Sequence, residues 1–130
     1  MDNENQMCFV CGRQNPIGLK LTFQEKDGQY LSVFTAGPEH QGYDGVMHGG
    51  LVSTLLDEIT ARYIYAKGLP AVTARLDVRY RLPTPVGQPL TLVGWIEKQR
   101  GRMYEMAGEI RLADGTVTAE CKSVVMLTKG

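Results

Sequence analysis

The stretch VMHGGLVSTLLDE, Val46 to Glu58, decides how this chain is read. From Gly49 onward Leu51, Val52, Leu55, Leu56, Ile59 and Tyr63 recur at helical spacing, and Lys67, Gly68 and Pro70 follow as stop signals. The spacing predicts one long helix, about 30 Å from end to end at ~1.5 Å per residue. His48, Gly49 and Gly50 fall at its start, where backbone N–H groups have no intrahelical acceptor and carry a partial positive charge. A glycine pair leaves those amides uncovered, so the end can stabilise a developing oxyanion. Glycine-rich turns also open helices with no chemical role.

The acid further along is the more pointed feature. Asp57 groups with Ser53, Thr54, Thr60 and Ala61, roughly opposite Leu55 and Ile59, and has no basic residue three or four positions away. Such a carboxylate is either a hydrogen-bonding group at a subunit interface or a functional acid or base. Glu58 differs, because Arg62 stands four positions on and can pair with it on a solvated surface.

Outward from the helix, the pattern becomes that of strands. LKLTFQ and YLSVFTA alternate on either side of Asp27-Gly28, a hairpin signal. In AVTARLDVRYRL, alternation puts Val72, Ala74, Leu76, Val78, Tyr80 and Leu82 on one face and Thr73, Arg75, Asp77, Arg79 and Arg81 on the other. LTLVGWIEK, MYEMAGEIRL and TVTAECKSVVMLT complete a meander. The expected fold is α+β: an antiparallel sheet of about six strands covering one long helix, with edges that an oligomer would protect.

Composition narrows the functions. The chain has 130 residues, enough for one domain with a real core, and its 14 basic and 14 acidic residues cancel. We expect no nucleic-acid partner and no membrane association, and a cytoplasmic protein, since the polar start is unlike a leader and the odd count of three cysteines suits a reducing compartment. Residues 1–14 read as an N-terminal extension carrying Cys8-Phe9-Val10-Cys11-Gly12, and 15–130 as the single domain. The two cysteines have the spacing of half a zinc site, but no second close pair follows; only Cys121, His40 and His48 remain, so no metal is assigned and the pair is taken as structural.

HQGYDGVMHGGLVSTLLDE followed by AVTARLDVRYRLPTPVGQPL resembles the hotdog-fold acyl-CoA thioesterases, specifically the phenylacetyl-CoA-thioesterase-like branch of the 4-hydroxybenzoyl-CoA thioesterase superfamily. The likeness extends from Asn15 through GRMYEMAGEI to AECKSVVM. It implies a curved sheet wrapped around the helix, homodimers with a continuous sheet assembled into homotetramers, and two active sites at each dimer interface. It also implies hydrolysis of an acyl-CoA to free acid and CoA without a cofactor, CoA being part of the substrate. The Gly49 amide, beside His48 and Gly50, would polarise the thioester carbonyl. The partner's Asp57 would serve as general base or nucleophile, assisted by a hydroxyl at Thr73. Where several relatives carry Asn or Gln shortly before the His-Gly-Gly, this chain has Gly42, Tyr43 and Asp44, of which Asp44 reads as a turn initiator.

Coenzyme A brings phosphates that a neutral protein must meet locally. Arg81 and Arg102 are the expected contacts, with Tyr63 in the acyl pocket. A non-catalytic acyl-CoA binder is the alternative, although a carboxylate gains such a protein little. Hotdog hydratases need a His–acid pair that neither histidine here provides, and a bare oligomerisation module leaves Asp57 unexplained.

Overall fold

The computed structural model describes residues 5–128. The elements are β1 (Gln24–Lys26), β2 (Gln29–Thr35), a short 3-10 turn at Pro38–His40, α1 (Gly49–Ala66), β3 (Ala71–Tyr80), β4 (Pro89–Arg100), β5 (Met103–Arg111) and β6 (Val117–Leu127). One antiparallel sheet contains all six strands in the order β1-β2-β4-β5-β6-β3, wrapped on α1. This is the hotdog arrangement, and the α+β expectation holds.

The helix is where its periodicity put it. Val52, Leu55, Leu56, Ile59 and Ile64 are fully buried against Leu90, Leu92, Met106, Ile110 and Val125 of the sheet. Beyond Ala66 the chain turns through Gly68, whose φ of +83° suits glycine and whose amide donates to Tyr65 O. The seat of the helix is unusually close. A Cβ on Gly94 of β4 would lie 2.4 Å from the Ile59 carbonyl oxygen, and one on Gly108 would crowd Thr60 and Ile59. These glycines pair across β4 and β5, so at Gly94 helix backbone rests almost on sheet backbone, and at Gly108 the Thr60 and Ile59 side chains fill the space.

Three local expectations change. The β1–β2 hairpin turns at Asp27-Gly28, both at positive φ as a two-residue hairpin turn requires, but β1 begins only at Gln24. The preceding Leu19 and Leu21 amides instead donate to the carbonyls of Phe9 and Val10, so LKLTFQ braces the N-terminal turn. Thr60, expected with Asp57 on a polar face, is fully buried and its Oγ1 donates back to Leu56 O.

The third change is in β3. Thr73 pairs with Val125 and Arg75 with Val124, which leaves Ala74 as a bulge. Strict alternation predicted Val72 and Ala74 on the core face with Leu76 and Val78. The extra residue shifts the pattern by one. Val72 and Ala74 are exposed, while Thr73 turns inward with Leu76 and Val78. Residues 5–14 of the expected extension pack on this unit, with Val10 buried in the core. No helix among the described residues is long and apolar enough to cross a membrane.

Candidate active site

At the start of α1, His48 is the N-cap, and its Nδ1 accepts the Gly50 amide at 2.9 Å. The Leu51 and Val52 amides both donate to the His48 carbonyl. The Gly50 amide is therefore spent in capping, and Gly49 presents the exposed N–H that bonds to nothing among the described residues. Because Nδ1 accepts, a neutral His48 carries its proton on Nε2.

Tyr80, at the end of β3, fastens this turn. Its hydroxyl donates to Gly49 O at 2.7 Å and accepts from Ser53 Oγ at 2.6 Å. The sequence pattern assigned no role at the site to either residue; alternation grouped Tyr80 with the apolar face of β3, whereas it is about half-exposed over the helix start. A cleft of about 660 Å³ opens here, walled by Met47, His48, Gly49, Val52, Tyr80 and Arg81.

Two turns further along α1, half-buried Asp57 faces β3, and Thr73 Oγ1 donates to its Oδ1 at 2.6 Å. The bulge at Ala74 produces this contact, since without it Thr73 would point away from the helix. Asp57 and Gly49 are eight residues apart, ~12 Å along the axis at ~1.5 Å per residue.

The remaining expected contacts are scattered. Arg81 lies at the cleft, ion-paired with Glu120 and half-exposed. Arg102, in the β4–β5 hairpin, donates through Nη2 to Leu127 O at 2.9 Å; Leu127 pairs with Ala71, at the opposite end of β3 from Tyr80. Tyr63 lies in the core and not in the His48–Gly49 cleft. It stacks on Tyr30 with centroids 4.9 Å apart, and its hydroxyl donates to Glu25 Oε2 at 2.5 Å. Burial and that bond hold its phenol protonated, pushed up to about 12. Asp44 precedes Gly45, whose φ is +80°, in a turn closed by the Val46 amide on Tyr43 O.

Glu58 departs most from expectation. Arg62 stays near it, but Glu58 is not on a solvated surface; it is half-buried against the N-terminal turn, where Cys8 Sγ donates to its Oε2 at 4.0 Å. Burial raises its carboxyl above the ordinary range, against the opposing bond from Cys11 and charge of Arg62. Burial, then the charge of Glu58, pushes the Cys11 thiol up to about 12. A second cleft, about 530 Å³, is lined here by Cys8, Cys11, Arg13, Glu58 and Arg62.

Residues 44–119, which span the cleft, the helix and Thr73, match the family model described as the thioesterase superfamily. The chain belongs to that superfamily. A crystal structure of another thioesterase superfamily protein superposes with a TM-score of 0.87 at 32% identity, covering 93% of this chain and 60% of that one. A hypothetical thioesterase from Streptococcus pneumoniae, solved with coenzyme A, shares the fold with a TM-score of 0.77 at 22% identity, covering 83% of this chain and 88% of that one. The acyl-coenzyme A thioesterase THEM4 of Xenopus laevis is 29% identical over 107 residues, 80% of this chain and 48% of the relative. This superfamily member thus spans about half the length of the curated relatives it matches.

Proposed function

We propose that the chain hydrolyses acyl-CoA thioesters at sites formed between two protomers, as a cytoplasmic homodimer paired further into a homotetramer. The observation that carries this reading is the hydrogen bond from Thr73 to Asp57, which orients a half-buried carboxylate on a helix whose start presents a free amide. An oxyanion donor and a base must both lie within ~3 Å of the reacting atoms, so groups ~12 Å apart on one helix cannot share one substrate. A partner supplies the missing half. Among the described residues β3 pairs only with β6, and its outer edge is open. Two-fold antiparallel pairing of β3 edges brings the Ala71 end of one protomer to the Tyr80 end of the other. The Gly49 amide and the partner's Asp57 then converge, with Arg102 of the partner subunit brought toward the Arg81 end.

In this arrangement the thioester carbonyl accepts from the Gly49 amide at the positive end of α1. The partner's Asp57 takes a proton from water as the water attacks the carbonyl carbon. The tetrahedral oxyanion is stabilised by the Gly49 N–H and the helix end, and collapses to expel the CoA thiolate. Thr73 holds Asp57 in one rotamer, and Tyr80 with Ser53 holds the Gly49 turn. Arg81 and Arg102 are placed for the CoA phosphates. CoA in the S. pneumoniae thioesterase and the activity named for THEM4 support the substrate class.

The test is free-thiol release from short-chain, long-chain and aromatic acyl-CoAs, wild type beside Asp57→Asn. Release from at least one acyl class, abolished by the substitution, is expected. Ligand binding without release from any member would replace hydrolysis with acyl-CoA sensing.

A further inference from the structure

The fold brings a third ligand to the cysteine pair that the sequence left incomplete. Cys8 Sγ, Cys11 Sγ and a Glu58 carboxylate oxygen all lie within 4.8 Å of one another. We propose that Cys8, Cys11 and Glu58 form a zinc-type metal site with one open coordination position, joining the N-terminal turn to α1. A tetrahedral ion with Zn–S near 2.3 Å and Zn–O near 2.1 Å sets its ligands roughly 3.5 to 3.8 Å apart, so the three groups need close by only about 1 Å.

The turn that carries the thiols is built independently of them. The Gly12 amide donates to Cys8 O at 2.9 Å, and a Cβ at Gly12 would lie 2.3 Å from Gln6 O and 2.4 Å from Cys8 N. Only glycine permits so tight a closure after the second cysteine. From the other side the Leu19 and Leu21 amides bind Phe9 O and Val10 O, and buried Val10 anchors the turn in the core. Two sulfurs are thereby aimed at the helix surface. Glu58, 47 positions beyond Cys11, meets them from α1.

The ligand chemistry selects the ion. Two thiolates and one carboxylate suit a borderline-soft divalent cation such as zinc, where calcium or magnesium would want oxygen throughout. Three anionic ligands around a dication leave one net negative charge, and Arg13 and Arg62 line the same cleft. With three protein ligands at a cleft of about 530 Å³, the fourth position faces space large enough for water or a small ligand. A dithiol redox centre fits less well, because a carboxylate facing the pair works against the thiolate that exchange requires. Disulfide formation would also leave Glu58 with no role in the cluster.

The test uses the full chain, reduced and stripped with a chelator, then titrated with cobalt(II). We expect a thiolate-to-cobalt charge-transfer band saturating at one ion per chain and abolished by added zinc. Cys8→Ser and Cys11→Ser should each weaken binding by at least the ~10- to 100-fold that losing an outer-shell partner costs. Glu58→Gln should weaken it while the sulfur-to-metal band survives, and Cys121→Ser should leave it unchanged. Circular dichroism of each variant guards against unfolding. Absence of the band in reduced wild type, undiminished cobalt affinity in Cys11→Ser, or unchanged affinity in Glu58→Gln would each overturn the site. The outcome is independent of thiol release from acyl-CoAs.

Discussion

Asp57 and Glu58 are consecutive acids on one helix, turned about 100° from each other, and they enter different worlds. Asp57 faces β3, where Thr73 donates to it; Glu58 faces the N-terminal turn, where two thiols meet it. The residue class predicts neither role. What decides is the neighbour that folding delivers, a strand from the next sixteen residues in one case and a turn from the far start of the chain in the other.

That contrast can be broken by exchanging charge for amide on each side in turn. Asp57→Asn should lower kcat by ~100- to 10,000-fold with an unchanged melting temperature, the range for loss of a positioned base. Next in size, Gly49→Pro removes the free amide at a helix position that tolerates proline, and a Cβ there meets Tyr80 only at ordinary contact, 3.6 Å or more. A fall in kcat of ~100- to 1000-fold is expected, while Gly49→Ala, which keeps the N–H, should retain most activity. An equal loss in both would assign the effect to crowding. Thr73→Val removes one hydrogen bond to a charged group; that interaction is worth ~1.5–3 kcal/mol, so kcat should fall about tenfold or more with KM little changed. Glu58→Gln is the smallest in steady-state kinetics, within about threefold of wild type. A large loss there would make the two acids one functional unit.

The sequence disclosed those parts of the molecule governed by local periodicity. The helix from Gly49 to Ala66, the Asp27-Gly28 turn and the meander were readable because burial imposes a period of 3.6 or 2 on nearby residues. Asp57 stood out for the same reason, as a charge without a helical partner. β3 was misread at Val72 and Ala74 because one bulged residue changes which side faces inward without altering composition. Tyr63 was placed in a pocket because periodicity marks a buried aromatic without saying what it touches; its stack on Tyr30 depends on the sheet. Glu58 was misread as solvated because its helical neighbour Arg62 was visible in the sequence, while Cys8 and Cys11, which bury it from the other side, are some fifty positions away in the chain.

Gly94 and Gly108 bear on all of this from beneath the helix. Gly94→Ala should destabilise the fold by at least ~1–3 kcal/mol in a thermal melt, because the new methyl meets a carbonyl that has no rotamer to swing away. The pair acts as a datum surface. At Gly94 the sheet meets the Ile59 carbonyl with no side chain of its own between, so the height of α1 there is set by main-chain atoms, whose dimensions do not vary with sequence, while Gly108 leaves room for the Thr60 and Ile59 side chains. Core residues elsewhere can trade volume with one another while Gly49 at the start of the helix and Asp57 at its middle keep their elevation above the sheet.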